Sequence, residues 1–319
     1  MREFAETAES VEAQEAVLPE HSEKKNSKRM KNIRTLLLSL LFVGPTFILF
    51  LVFGYIVNFQ SLFYSLFSFD YGNPPGTFIG FQNYAAVLSS VEFWQSLWVS
   101  AKLFLLSVLL GFWVPIVQAI FLNELGKKSK SVFRYLYVLP AALPSIANMT
   151  VWSYIWNPEY GLANEFISWF GIGPQLWLQS ETQVLWCLRI GGLLGGGMNI
   201  LLYSVAINGV NPEIYEAAKV DGASLFRCVF AITLPNIAYM IKLQFLLSLT
   251  GALLAFDDVY IMTKGGPGTA STTVVMNIYT KSFSQLNFGQ GMAMSVVLTL
   301  ITMIFVALQI FVKRRNNDG

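Results

Sequence analysis

The sequence predicts an all-α integral membrane protein with six transmembrane helices. Three observations carry that prediction. Of the 319 residues 54% are hydrophobic and only 13% charged, the mean hydropathy is +0.53, and six long apolar segments alternate with polar connections. An average soluble domain carries about 25% charged residues, and apolar surface in this excess exceeds what one water-soluble core would hold. A hydrocarbon layer about 30 Å thick takes roughly 20 residues per helix, so six spans fit the length and leave room for loops.

Residues 1–34 are polar and form the first predicted region, a cytoplasmic tail. Glu3, Glu6, Glu9, Glu12 and Glu15 recur every third residue before a basic group from Lys24 to Arg34. A secretory signal would begin with positive charge and pass directly into a short apolar core, a pattern absent here. The acidic repeat reads as a polar helix or a disordered tail, and the lack of an apolar face favours the tail. Residues 35–315 form the membrane domain, with segments at about Leu36–Asn58, Leu97–Leu122, Tyr135–Trp156, Thr182–Asn208, Ile237–Tyr260 and Gly291–Val312.

The cations orient these segments. Sixteen of the twenty-one Lys and Arg residues lie before the first segment, after the second and fourth, and beyond the sixth. The connections after the first and third carry none, and the one after the fifth carries only Lys264 and Lys281. The positive-inside rule then puts both termini in the cytoplasm, which an even number of spans requires. Lys102, Arg189 and Lys242 fall inside apolar segments near their ends, where snorkelling is the expected accommodation.

The fourth segment carries Gly191, Gly192, Gly195, Gly196 and Gly197, with small-xxx-small spacing that lets helix backbones approach. Tight packing is the stronger reading, and a helix thinned to leave room for a solute is compatible with it. Pro45, Pro115, Pro140 and Pro144 are kink positions. Trp152, Tyr154, Trp156, Trp177 and Trp186 cluster at outer helix ends, where most are expected as interfacial anchors and one or two could face a pathway. Cys187 and Cys228 are the only cysteines and are expected at different depths, so no disulfide is expected. Two thiols and the single His21 make no metal site.

The connection Asn211–Pro235 carries the argument about function. Asn211 is a possible N-cap, Pro212 suits the first helical position, and Glu213 and Glu216 sit at the positive end of the dipole. Ile214, Tyr215, Ala218, Gly222, Leu225, Phe226 and Val229 fall on one helical stripe, so an amphipathic cytoplasmic element is expected. Its centre is small, at Ala217, Ala218, Gly222 and Ala223, and Gly222 would permit a break between two short helices. Geometry alone leaves two readings, a docking surface for another protein or a helix resting on lipid headgroups, and by itself favours the second.

The string Glu216-Ala217-Ala218, then Gly222, then Ile232-x-Leu234-Pro235 resembles the EAA signature of binding-protein-dependent ABC importer permeases. FIGFQNY at Phe78–Tyr84, WNPEYGLAN at Trp156–Asn164 and FDDVYIMTKGGPG at Phe256–Gly268, with the basic end Lys313-Arg314-Arg315, resemble the maltose-type carbohydrate permease subfamily. The resemblance covers most of the chain after Leu36 and implies a type I ABC importer permease with a cytoplasmic coupling helix, in a bacterial cytoplasmic membrane. It implies an ATPase-docking surface at Glu216, Ala217, Ala218, Asp221 and Gly222. It also implies a solute pathway midway along the fourth and fifth segments, at Gly195, Met198, Asn199, Tyr203, Ser248, Ala252, Ala255 and Asp257. The stretch around Ser248 is poor in hydrogen-bonding side chains, so a weak or partial site is expected, with a homologous permease partner supplying other contacts. For Asp257 and Asp258 an outer-end cap or a loop salt bridge is the stronger reading.

The implied partners are a second, homologous permease in a heterodimer, two cytoplasmic ATPase subunits, an extracytoplasmic solute-binding protein and membrane lipid. Net charge of +2 gives no reason to expect nucleic acid. The chain has no G-x-x-x-x-G-K-[ST], and Gly265-Gly266-Pro267-Gly268 reads as a turn with no Lys-Ser/Thr after it, so ATP and Mg are expected on the partners and no cofactor on this chain. One histidine in a polar tail leaves no catalytic triad to build. A permease for a non-sugar solute and a stand-alone secondary transporter are the alternatives; the latter would want deep ionisable residues or an inverted repeat.

Overall fold

The computed structural model describes residues 35, 38–70, 76–139, 143–193 and 197–317. The tail 1–34, Gly195 and Pro140 lie outside them. Among the described residues the structure is helical, with two isolated β-bridges, Phe67 to Phe78 and Asp70 to Asn287. The chain divides into units at residues 1–61 and 62–319. The described part of the first is one apolar helix, Leu38–Tyr64, which runs on into the second unit and has π-type turns at Phe50–Ile56.

The second unit is built on the helix Val91–Glu124. Its 34 residues rise about 50 Å, more than a bilayer core needs. It enters three cores in turn: Phe93 packs with Val274 and Met294, Val99 and Leu103 with Val184 and Val259, and Ile116, Ala119 and Leu122 with Ile200, Tyr203 and Ile237. Its opposite side exposes Trp94, Trp98, Leu105, Leu109 and Val117. A helix apolar on both its packed and its open faces is one whose surroundings are apolar too.

Among the described residues three helices are long and apolar enough to cross a membrane: Leu38–Tyr64, Val91–Glu124 and the helix that starts at Phe288. They cover the first, second and sixth predicted segments. Of the other three, the third and the fifth are interrupted among the described residues. The third falls on Lys127–Val138 and Ser145–Ile155, the fourth on Val184–Leu193 and Gly197–Asn208, and the fifth on Ala238–Leu253 and Asp257–Met262. Leu225–Asn236 meets Ala238–Leu253 at a 69° bend. Pro235 lacks the N–H that would bond the Ala231 carbonyl, and π-type turns at Val229–Thr233 lead into it. Pro115 acts similarly: Gly111 loses its partner, and Ser107–Phe112 widens to π-type turns.

In the fourth segment, Gly191 serves close approach. A Cβ on Gly191 would stand 3.1 Å from the Trp152 ring. Trp156 is 7% exposed and stacks on Trp152, with Trp177 tilted against it at 5.0 Å. Of the five aromatics expected mostly as interfacial anchors, Trp156 is a core residue, because the turn beyond Ile155 folds its ring inward, whereas Tyr154 and Trp186 are exposed.

The outer motifs are turn scaffolds. Asn157 Oδ1 accepts from the Glu159 and Tyr160 N–H groups, and Asn164 joins Pro158, Gln175 and the Trp177 indole. Gly161 lies so close to the Asn157 and Ile155 carbonyls that no Cβ fits. Asn83 donates to the Ser65 and Phe67 carbonyls, and Tyr84 bonds Ser65 at 2.6 Å. Gly265-Gly266-Pro267-Gly268 forms the expected turn, with Gly265 and Gly268 at positive φ.

Candidate functional site

Two places in the second unit bring the singled-out residues together. The first is the element after the fourth segment. Asn211 caps Pro212–Val220, its side chain accepting from the Glu213 N–H at 3.1 Å. The helix ends in a Schellman motif: the Gly222 N–H reaches the Lys219 carbonyl and the Ala223 N–H the Ala218 carbonyl. That closure needs a left-handed residue, and Gly222 supplies it at φ +75°. Ser224 then caps Leu225–Cys228. The single stripe expected across 214–229 is therefore split, because the backbone reverses at Gly222 and the two halves face differently.

Tyr215 ties the halves, bonding buried Thr233 at 3.0 Å. Glu216, Ala217, Asp221 and Gly222 are exposed, while Ala218 is half-buried. Val220, off the predicted stripe, is 88% exposed, and Phe226, on it, is 74% exposed. Val220 was legible only as a β-branched residue beside the small-residue patch. Beneath the element, Tyr215, Lys219, Cys228 and Thr233 line one wall of a cavity of about 350 Å³. Cys228 and Cys187 are both buried and free.

The second place is a cavity of about 420 Å³. The widened turns of the long helix contribute Ser107, Gly111, Phe112 and Pro115, the fourth segment Arg189, Asn199 and Tyr203, and the fifth Gln244, Leu247 and Ser248. Asn199/Tyr203 and Gln244/Ser248 are each four residues apart, so each pair shares one helix face. Gln244 donates to Asn199 Oδ1 at 3.3 Å. Tyr203 is 1% exposed, and its hydroxyl has no hydrogen-bond partner among the described residues.

Of the predicted pathway residues, Asn199, Tyr203 and Ser248 meet here. Met198 is exposed and Ala252 buried, and neither lines the cavity. The Ala255 carbonyl accepts from Thr273 at 2.7 Å, Asp257 is exposed in the first turn of Asp257–Met262, and Gly195 lies outside the described residues. Gln244, Arg189 and Ser107 were missed. Gln244 had a signal, as an amide in an otherwise apolar helix one turn before Ser248.

Arg189 is paired within the protein: its Nη2 donates to Asp258 Oδ2 at 2.8 Å, both side chains are 19% exposed, and its Nε is buried without a partner among the described residues. The salt-bridge reading of Asp258 thus holds, and it explains the arginine as well. Lys102 lies 5.8 Å from the Trp98 ring centroid. Among the described residues no three His, Cys, Asp or Glu side chains gather as a metal site would require.

Residues 116–317 match the family described as the binding-protein-dependent transport system inner membrane component. The chain belongs to that family. Among relatives of this permease, a probable ABC transporter permease protein of Bacillus subtilis, YurN, is 31% identical over 84% of this chain and 93% of its own. The trehalose/maltose transport system permease protein MalF of Thermococcus litoralis is 31% identical over 77% of this chain and 83% of its own. A chain of the bacterial alginate ABC transporter, crystallised with an alginate pentasaccharide-bound periplasmic protein, superposes with a TM-score of 0.80. It is 23% identical, with 89% of this chain and 96% of that one covered. The permease therefore has the all-helical type I ABC permease fold, as a multi-pass membrane component of a transport system.

Proposed function

We propose that the permease forms the membrane pathway of a carbohydrate ABC importer. It crosses the membrane six times, with the 1–34 tail and the C-terminus in the cytoplasm and the membrane domain at 35–315. It docks an ATPase through the coupling element at 211–235 and pairs with a homologous permease in a heterodimer. ATP and Mg belong to two ATPase subunits, and an extracytoplasmic protein delivers the solute to the outer loops.

The observation that carries this reading is the form of the coupling element. Small exposed residues, Ala217 and Gly222, lie between the carboxylates Glu216 and Asp221 and the exposed apolar Val220. A partner backbone can approach such a surface closely. Behind it, Tyr215 and Thr233 link the element to the bend at Pro235, so a push on the surface reaches the fifth segment as a rigid-body movement. The interrupted third and fifth segments agree with six spans, since broken helices at membrane depth are tolerated where they face protein or a cavity. The sugar assignment is supported by the trehalose/maltose and alginate relatives and by a cavity whose polar groups are side-chain amides, hydroxyls and one arginine.

The test is co-expression with an ATPase subunit. The expected result is a stable complex whose ATP hydrolysis rises with sugar-loaded binding protein, and loss of both with Ala217→Trp. Retention of both with Ala217→Trp would refute docking at this element.

A further inference from the structure

We infer that the Arg189–Asp258 pair makes the cavity selective for uncharged saccharides over acidic ones, with Arg189 as the solute-facing donor and Asp258 as its positioning residue. This rests on the carbohydrate reading of the same cavity. Arg189 spends one N–H on Asp258, and its buried Nε has no partner among the described residues. A guanidinium carries five donors in a fixed fork, so it keeps others for a solute oxygen. Both Asp258 oxygens are engaged, Oδ2 with Arg189 and Oδ1 with the Val259 N–H at 3.0 Å. The arginine is thus held in place and neutralised together.

The remaining walls complement a polyol. The Ser107 and Ser248 hydroxyls donate to the Leu103 and Phe245 carbonyls of their own helices. Their lone pairs remain as acceptors for sugar hydroxyls. Tyr203 also lines the cavity, with its hydroxyl oxygen buried behind that wall. Donors and acceptors are both on offer, and the pair adds no net charge. A sugar hydroxyl taking the arginine's donor gains a charge-assisted bond while giving up little hydration. A carboxylate entering the same place gives up far more hydration and meets no uncompensated cation in return.

The experiment measures direct binding of maltose and of an alginate disaccharide to the assembled permease–ATPase complex without its binding protein. The wild type is expected to bind maltose at least tenfold more tightly than the acidic sugar. Asp258→Asn leaves the arginine uncompensated and should move that ratio at least tenfold towards the alginate disaccharide. Arg189→Gln/Asp258→Asn keeps the cavity neutral, so it should weaken maltose binding about tenfold without favouring the acid. An unmoved ratio in Asp258→Asn, or a wild type that prefers the acidic sugar, overturns the inference and leaves the carbohydrate reading standing. Should Asp258→Asn fail to assemble, undiminished maltose binding by the double variant overturns it equally. A complex whose ATP hydrolysis responds to no sugar-loaded binding protein refutes the carbohydrate reading itself.

Discussion

Arg189 and Asp258 stand 69 positions apart in sequence and 2.8 Å apart in the structure, joining the fourth segment to the short second helix of the fifth. Neither charge has another ionic partner among the described residues. Removing one partner of a largely buried pair leaves the other uncompensated, at a cost of about 3–5 kcal/mol. At 19% exposure we expect the lower end, about 3 kcal/mol, for Arg189→Met. Asp258→Asn added to Arg189→Met should recover most of that loss. Chemical denaturation in mixed micelles measures both, and additive destabilisation in the double variant would deny the coupling.

Two tryptophans of the outer cluster, Trp156 and Trp186, should behave oppositely. Trp156 is 7% exposed between two other indoles, whereas Trp186 is 43% exposed. Truncating a buried tryptophan costs about 3–5 kcal/mol. Surface substitutions stay within about 0.5 kcal/mol. Trp156→Ala should therefore lower the thermal midpoint in detergent sharply, and Trp186→Ala barely move it. Similar shifts for both would contradict the burial of Trp156.

The class of fold was legible because it depends on composition and segment length, which no tertiary detail can reverse. The Asn211 cap, Pro212 at the first turn and the break at Gly222 were legible because they are local, set within four residues of backbone. What failed was long-range. Arg189 read alone is a costly cation that ought to snorkel, and only folding brings Asp258 to it. Trp156 looked like an anchor by depth, and only the turn after Ile155 shows its ring packed on Trp152. In the cavity, Asn199 and Ser248 were visible as polar residues in apolar helices. Ser107 was not, because the widened turn that aims it inward is opened by Pro115, eight positions away.

Val220 and Tyr160, 88% and 65% exposed, offer a test of topology. With both termini cytoplasmic and six spans, residue 220 faces the cytoplasm and residue 160 the exterior. In a background where Cys187 and Cys228 are replaced by alanine, Val220→Cys should react with a membrane-impermeant maleimide only in inverted vesicles. Tyr160→Cys should react only in right-side-out vesicles. Labelling of Val220→Cys from the outside would remove the coupling element from the compartment that holds ATP.

Gly222 separates backbone need from surface need. An added Cβ there meets nothing within 4 Å, so the cost of a side chain arises from φ at +75° alone. Left-handed backbone costs an ordinary residue about 1–2 kcal/mol, and asparagine less, because its side chain bonds locally. A β-branched residue is the most strained there. If the Schellman closure is what shapes the docking surface, sugar-stimulated ATP hydrolysis by the assembled complex should fall in the order Gly, Asn, Ala, Val at position 222. Expression and membrane insertion should stay unchanged, since the closure lies outside the cores. If the surface alone matters, the order becomes one of size, and Ala, as the smallest side chain, should outperform Asn. The relative activity of Gly222→Asn and Gly222→Ala therefore decides between a conformational and a purely steric role for this glycine.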